Sequence, residues 1–518
     1  MKTPIGVIAA GHSLTVEAAE QMLRAGGNAY DAVLAGMCAA CAAEPVLASP
    51  GGGGFLLAQP ASGGPCLYDF FAHTPAVRRP ESELDFYSFI ADFGTAQQEF
   101  HIGRGTVAVP GVIRGLFEIH DDLCRMPMTE IVAPAVSHAR HGVVQTPFQS
   151  YLFQVIKGTC LATPAVRAIF ESPTKAGDTV LEGEVLYQRE LADALESLAI
   201  EGDDLFYRGE IAGAIDKDMR DGGQISRRDL EAYRVERRKP LAVDYGDRRV
   251  LTNPPPSSGG VLIALGLKLA EHIGVGESPY GSPEHVDLLA KVMQATTNAR
   301  LESGPGPNAQ ALDETALLDP ALVQRYCDDI RARSRAFRGT TQITVIDGAG
   351  NVASLTISNG EGSGYVAPGT GIVLNNMLGE EDLNPEGFHR WPTAHRMTSM
   401  MAPTMVLRRD GEIVATGSGG SNRIRSAILQ VLLNLIDRGM SLEEAVNAPR
   451  LHLEGELLSL EGGFDREQLA ALLDAYPEHR LWQEQNMFFG GAHSCLRNRR
   501  GLVGVGDPRR GGVSLIVA

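Results

Sequence analysis

Thr340 directly follows Gly339 at the head of a β-hairpin, where a threonine can serve as a nucleophile. A threonine hydroxyl needs a base to become reactive. Cutting the Gly339–Thr340 bond would free the α-amine of Thr340, whose ordinary pKa is about 8, and that amine can take the hydroxyl proton itself. Without the cut, Thr340 is simply the start of a strand. The hairpin is read from alternating β-branched residues over 341–347, a Gly348-Ala349-Gly350-Asn351 turn, and a second strand over 352–358. If the turn is Gly348 to Gly350, Ser358 lies opposite Thr340 and its hydroxyl can orient the nucleophile; a longer turn puts Asn359 there instead. A second cluster, Gly419-Gly420-Ser421, joins a strand to a helix, where successive backbone N–H groups suit an oxyanion or serve only a tight joint. In a third, Thr398 and Ser399 can hold a polar substrate end, and Met400 and Met401 read as packing.

Metal and redox chemistry find little support. The 13 His show no paired ligand spacing, and His389 and His395 read as surface or pocket-rim residues. His73 reads as a loop histidine that could face substrate. The 7 Cys are scattered, and Cys38 and Cys41 sit within an Ala-rich helix as core thiols. No cofactor is expected. The Gly51 to Gly54 run lacks a phosphate-loop Lys and a following helix, so it marks tight backbone packing or a ligand-facing turn, not a nucleotide site.

With 44% hydrophobic and 21% charged residues, the 518-residue chain has an ordinary globular composition. A net charge of −17 argues against nucleic acid and anionic membranes as main partners. The start shows no signal-peptide pattern, and no apolar run reads as a membrane span, so a reducing cytoplasm is expected. A homo-oligomer is left open.

Helices are expected over 14–26, capped by Ser13, and over 28–43. A strand follows at 55–58, then a mainly helical stretch over 110–240. The rigid Pro254-Pro255-Pro256-Ser257-Ser258 loop leads into a helix over 261–272. The polar 300–338 stretch, with Gly304-Pro305-Gly306-Pro307 and an Arg-rich end from Arg331 to Arg338, reads as an exposed processing segment. Strands are expected to dominate after Thr340 until Ser418, then a helix over 423–438 and closing strands over 501–505 and 513–517.

These clusters, in this order, resemble the γ-glutamyltranspeptidase family of N-terminal-nucleophile hydrolases. The resemblance runs along nearly the whole chain: Gly26-Gly27-Asn28-Ala29-Tyr30-Asp31-Ala32, Ser49-Pro50-Gly51-Gly52-Gly53-Gly54, Pro254 to Gly260, Leu374-Asn375-Asn376, Ala445 to Arg450 and Gly506-Asp507-Pro508-Arg509. It implies an α+β fold, a four-layer αββα sandwich. It also implies a proenzyme that cuts itself at Gly339–Thr340 into residues 1–339 and 340–518, which stay associated. Thr340 would then be the nucleophile, Ser358 the supporting hydroxyl, and Gly419 and Gly420 with Ser421 the oxyanion loop.

The substrate positions depart from the family pattern. The arginine that grips a glutamyl α-carboxylate falls on Phe71, which cannot form a bidentate pair. The residues that hold the α-amino end fall on Met377 and Glu380, the paired serines on Ser399 and Met400, and a nearby Asn on Gly360, with Asn359 beside it. The segment after Glu380 is short for a closing lid. Three readings follow. The first is a self-processing amidohydrolase or acyltransferase whose small-molecule amide substrate carries an acyl group other than standard γ-glutamyl. The second is a γ-glutamyl enzyme of glutathione-type substrates that grips the carboxylate with Arg390, Arg396 or Arg423. The third is an uncut, non-catalytic binding or scaffold homologue.

Overall fold

The computed structural model describes residues 3–92, 97–302, 318, 339–384 and 387–518. The expected processing segment therefore lies, but for a few residues, outside the described residues, as does Cys327.

Two antiparallel sheets form the centre. Numbering only their strands, they are β1 (Gly6–Ala10), β2 (Gly53–Gln59), β3 (Cys66–Phe70), β4 (Glu236–Arg238), β5 (Leu241–Tyr245), β6 (Arg248–Thr252), β7 (Thr341–Asp347), β8 (Val352–Ser358), β9 (Thr404–Arg408), β10 (Ile413–Thr416), β11 (Ser494–Asn498), β12 (Gly501–Val505) and β13 (Val513–Val517). The first sheet runs β13-β1-β7-β8-β2-β3-β4 and the second β12-β11-β10-β9-β6-β5. The hairpin of β7 and β8 sits mid-sheet, flanked by β1 and β2, so both of its edges are paired, and every residue of the two strands is buried.

The two faces differ. Ile343, Val345, Ala353, Leu355 and Ile357 enter the core under helices α1 (Ser13–Arg24) and α2 (Ala29–Ala43). The opposite face carries polar residues that bond the second sheet: Thr344 Oγ1 donates to His493 O at 2.9 Å and Ser354 Oγ to Thr416 O at 2.9 Å. Helix α3 (Ser258–Ile273) packs on β5 and β6 of the second sheet, and helices α4 (Pro283–Glu302) and α5 (Arg423–Ile436) pack against α3. Helix, sheet, sheet and helix thus stack in the expected αββα order.

Several elements differ from the sequence reading. The first helix begins at Ser13 but is capped by His12, whose Nδ1 accepts from Leu14 N at 3.2 Å. The described residues between Asn359 and Pro403 form irregular chain with two short 3₁₀ turns where strands were expected to dominate, because glycines and side-chain bonds hold a loop. Cys38 and Cys41 are buried in α2, and burial pushes the Cys38 thiol up to about 12, as expected of inert core residues. Among the described residues no helix is long and apolar enough to cross a membrane.

Candidate active site

The hairpin pairs Thr341 with Ile357 and Ile346 with Val352, the register of the three-residue turn. It carries Thr340 to the buried end of β7 and Ser358 to the adjoining end of β8, both almost fully covered. Both hydroxyls turn onto one carbonyl. Thr340 Oγ1 donates to Gly339 O at 2.7 Å, and Ser358 Oγ donates to the same oxygen at 2.8 Å. Ser358 Oγ in turn accepts from Gly360 N at 3.0 Å, which fixes the direction of its own hydrogen.

Glycines let other chain segments approach this point. A Cβ on Gly52 would lie 2.2 Å from Ser358 O, and one on Gly53 would lie 2.8 Å from Ala72 N. The Gly51 to Gly54 run therefore serves close backbone packing that sets both Ser358 and the Phe71 segment. The Gly419-Gly420-Ser421 loop crosses on another side. A Cβ on Gly419 would lie 2.1 Å from Thr340 O, Gly420 has φ +120° and Ser421 φ +54°, and α5 begins two residues later. The loop thus stands at a helix N-terminus against the backbone of Thr340.

A pocket of about 350 Å³ opens beside these groups. Its lining brings together Gly339, Thr340, Ser358, Phe71, Met377, Glu380, Ser399, Met400 and Ser421 from the sequence reading. It adds Asp382, Leu383 and Ile424, together with Met401, which the sequence reading took as packing. Asn359 is buried next to Ser358 but is not in that lining. Met400 is held from behind, since a Cβ on Gly259 would meet Met400 O at 2.1 Å, and Ser257 Oγ donates to Ser399 O at 2.9 Å.

No arginine lines this pocket among the described residues. Phe71 is buried and stacked on Phe55 with ring centroids 5.4 Å apart. Arg396 lies behind Phe71: it donates to Phe71 O, to Tyr233 OH at 2.6 Å and to Arg234 O at 2.6 Å, and its Nε is 3.4 Å from Asp69 Oδ1. It braces the loop and does not face the pocket. Arg390 is exposed, and Arg423 faces a different cavity. None of the three candidate arginines therefore lines the pocket beside Thr340.

Glu380 fills space that a side chain at 360 would take. Gly360 has φ +64°, and a Cβ there would lie 2.3 Å from Glu380 Oε1 and 2.1 Å from Asn376 Oδ1. Glycine at 360 and the carboxylate of Glu380 therefore go together.

Three groups escaped the sequence reading. Asp382 accepts from Ser421 Oγ and from Asn422 Nδ2 at 3.3 Å, tying the pocket wall to the Gly419-Gly420-Ser421 loop. Glu44, at the end of α2, is buried beside the start of β7 and accepts from Thr341 Oγ1 at 3.0 Å and Thr15 Oγ1 at 3.2 Å; burial pushes its carboxyl up to about 7. Arg510 Nη1 lies 3.3 Å from Thr340 O, and burial together with Arg423 brings its pKa down to about 10. Only the first carried a local signal, an acid two residues after Glu380. No group of three or more metal-type ligands occurs among the described residues.

Stacked helix, sheet, sheet and helix layers, with a hydroxyl residue at the head of a central strand, define an N-terminal-nucleophile hydrolase fold. The model of the γ-glutamyltranspeptidase family matches residues 15–517, and the chain belongs to that family. It is 31% identical over 490 residues to the acylase ACY 1 proenzyme of a Pseudomonas strain, covering 90% of this chain and 86% of the relative. It is 30% identical over 544 residues to the glutathione hydrolase proenzyme of Escherichia coli, covering 97% and 90%. The crystal structure of cephalosporin acylase from Bacillus halodurans shares the fold, with a TM-score of 0.84, 24% identity, and coverage of 99% of this chain and 96% of that one.

Proposed function

We propose that this protein is a self-processing amidohydrolase or acyltransferase whose nucleophile is Thr340 and whose acyl group is not a standard γ-glutamyl. The observation that carries it is the pair of hydroxyls, Thr340 and Ser358, converging at 2.7 and 2.8 Å on the Gly339 carbonyl at the mouth of a pocket. In self-cleavage, Thr340 Oγ attacks the Gly339 carbonyl carbon while Ser358 donates to the oxygen that gains charge. The Gly339–Thr340 C–N bond breaks as the Oγ proton passes to the Thr340 nitrogen, which leaves an ester that water hydrolyses to a Gly339 carboxylate and a free Thr340 α-amine. The proenzyme names of the relatives support this maturation.

In turnover, the α-amine takes the Oγ proton as Thr340 bonds to the acyl carbon. Backbone N–H groups of the Gly419-Gly420-Ser421 loop face the resulting oxyanion. The C–N bond then breaks, and the amine passes its proton to the leaving nitrogen. Water or a second amine resolves the acyl-enzyme by the reverse path.

The pocket supports an altered acyl group. Its floor is Phe71, Met377, Met400 and Met401, and its charged members are the acids Glu380 and Asp382. A glutamyl α-carboxylate would meet apolar surface and negative charge there. An apolar acyl chain, or one ending in a cation, fits better. The acylase relative agrees with this, and the glutathione hydrolase relative keeps the γ-glutamyl reading as the alternative. The test is a panel of 4-nitroanilides with γ-glutamyl, hexanoyl and 6-aminohexanoyl acyl groups, with mass spectrometry of the Thr340 peptide for the acyl adduct. Faster turnover of the γ-glutamyl compound would overturn the substrate assignment, and an uncut protein without an adduct would favour the non-catalytic reading.

A further inference from the structure

A second cavity, of about 560 Å³, adjoins the first. Gly339 lines both and stands between them. The second cavity is walled by apolar side chains, among them Leu47, Phe100, Leu152 and Phe488. Its charged members are Arg510, Arg423 and Glu361.

The two arginines are not equivalent. Arg423 lies 3.6 Å from Glu454 and 4.9 Å from the centre of the Phe488 ring. Arg510 is buried, yet its contacts are only carbonyls, Thr340 O at 3.3 Å and Met487 O at 3.5 Å, and its Nε has no partner. No carboxylate lies within ion-pair distance of it among the described residues. Glu361 is occupied with polar hydrogens, accepting from Gly339 N at 3.3 Å and Asn376 Nδ2 at 3.3 Å. A buried guanidinium this poorly satisfied, at the wall of an apolar cavity and in contact with the nucleophile's own carbonyl, suits an anion on a ligand.

We propose that, after the cut at 339–340, this cavity takes the amine half of the amide, and that this amine has an apolar body carrying a carboxylate bound by Arg510. The inference rests on Thr340 being the nucleophile. In the uncut chain Gly339 separates the two cavities. Cutting turns Gly339 into a free chain end and lets one amide reach from the acyl pocket across Thr340 into the second cavity. The acyl group then lies among Phe71, Met377 and Met400, and the departing or accepting amine lies against Leu152 and Phe488.

The test is calorimetric titration of the cut protein with 4-aminobenzoate and with 4-aminobenzamide, which share a shape and differ in charge. The wild type is expected to bind the benzoate at least about tenfold more tightly, the order expected of a buried charged hydrogen bond. R510Q is expected to bring the ratio to about one, and R510K to retain part of it. L152W, which narrows the cavity without touching its charge, is expected to weaken both ligands. Equal binding of the two in wild type, or a preference that survives R510Q, overturns the assignment. If R510Q does not fold, the wild-type ratio and L152W decide. Intact mass and the Thr340 adduct are read first. A wild type that is cut and acylated but shows no benzoate preference sinks the cavity assignment alone; a wild type that stays one chain sinks the nucleophile reading and this inference with it.

Discussion

Replacing Ser358 by alanine tests the self-cleavage geometry at its most exposed point. In the uncut chain the Gly339 carbonyl accepts two hydroxyls, at 2.7 Å from Thr340 and 2.8 Å from Ser358. Once Thr340 Oγ becomes the attacking atom, it can no longer donate to that oxygen. Ser358 is then the side-chain donor left on it as negative charge builds. Loss of one such donor slows acyl transfer by about 10²–10³-fold, roughly 2.7–4 kcal/mol of barrier. S358A also strips Gly360 N of its acceptor at 3.0 Å, a loss of about 1–3 kcal/mol that falls on folding as well. The assay is a denaturing gel on freshly synthesised precursor, sampled from minutes to days, with thermal melting as the control for folding. S358A should mature at least about a hundredfold more slowly than wild type, and S358T, which keeps the hydroxyl, within about tenfold. A folded S358A that cleaves at the wild-type rate would refute the role given to this hydroxyl.

Other outcomes follow from the same coordinates. F71R should fail to install a carboxylate grip and should lower the melting temperature, because it breaks the stack on Phe55 and buries a second guanidinium beside Arg396, a loss of several kcal/mol; better γ-glutamyl turnover with unchanged melting would refute this. G360A should cost about 1–2 kcal/mol from its φ of +64° and should also displace Glu380, 2.3 Å from the new Cβ, raising KM for substrates that use that wall. Glu44 should make the protein less stable as pH rises. Its carboxyl is raised from 4.5 to about 7 in the fold, so the folded state holds the proton longer, and stability present below about pH 4.5 is lost as pH climbs through 7. Melting curves from pH 4.5 to 8 should show E44Q gaining on wild type by about 3 kcal/mol across that window; parallel curves would contradict the raised carboxyl.

The features closest to the chemistry were the most legible in the sequence, for a physical reason. Alternation along 341–347 and 352–358 with a Gly-Asn turn leaves few registers, and the three-residue turn that brings Ser358 to Thr340 is the one found. The closing strands over 501–505 and 513–517 were equally clear from their pattern. Less legible were groups whose roles depend on distant chain. Glu44 lies 297 residues from Thr341, and Arg510 170 residues from Thr340, so neither local spacing nor periodicity joins them. Strands were expected to dominate up to Ser418, but the chain after Asn359 follows a path set by side-chain bonds to distant segments, such as Asn375 Nδ2 to Gly51 O at 2.9 Å and to Ala108 O at 3.0 Å. Phe71, at the position where the family resemblance implies an arginine, was visible in the sequence. That Arg396 had been drawn behind Phe71, and not into the pocket, needed the fold.

The most direct test of Thr340 as a self-released nucleophile is the intact mass and N-terminal sequence of purified wild type and T340A. The expected result is two wild-type fragments, the smaller beginning at Thr340, and a T340A protein that stays whole. A correctly folded wild type recovered as a single 55.4 kDa chain would contradict it.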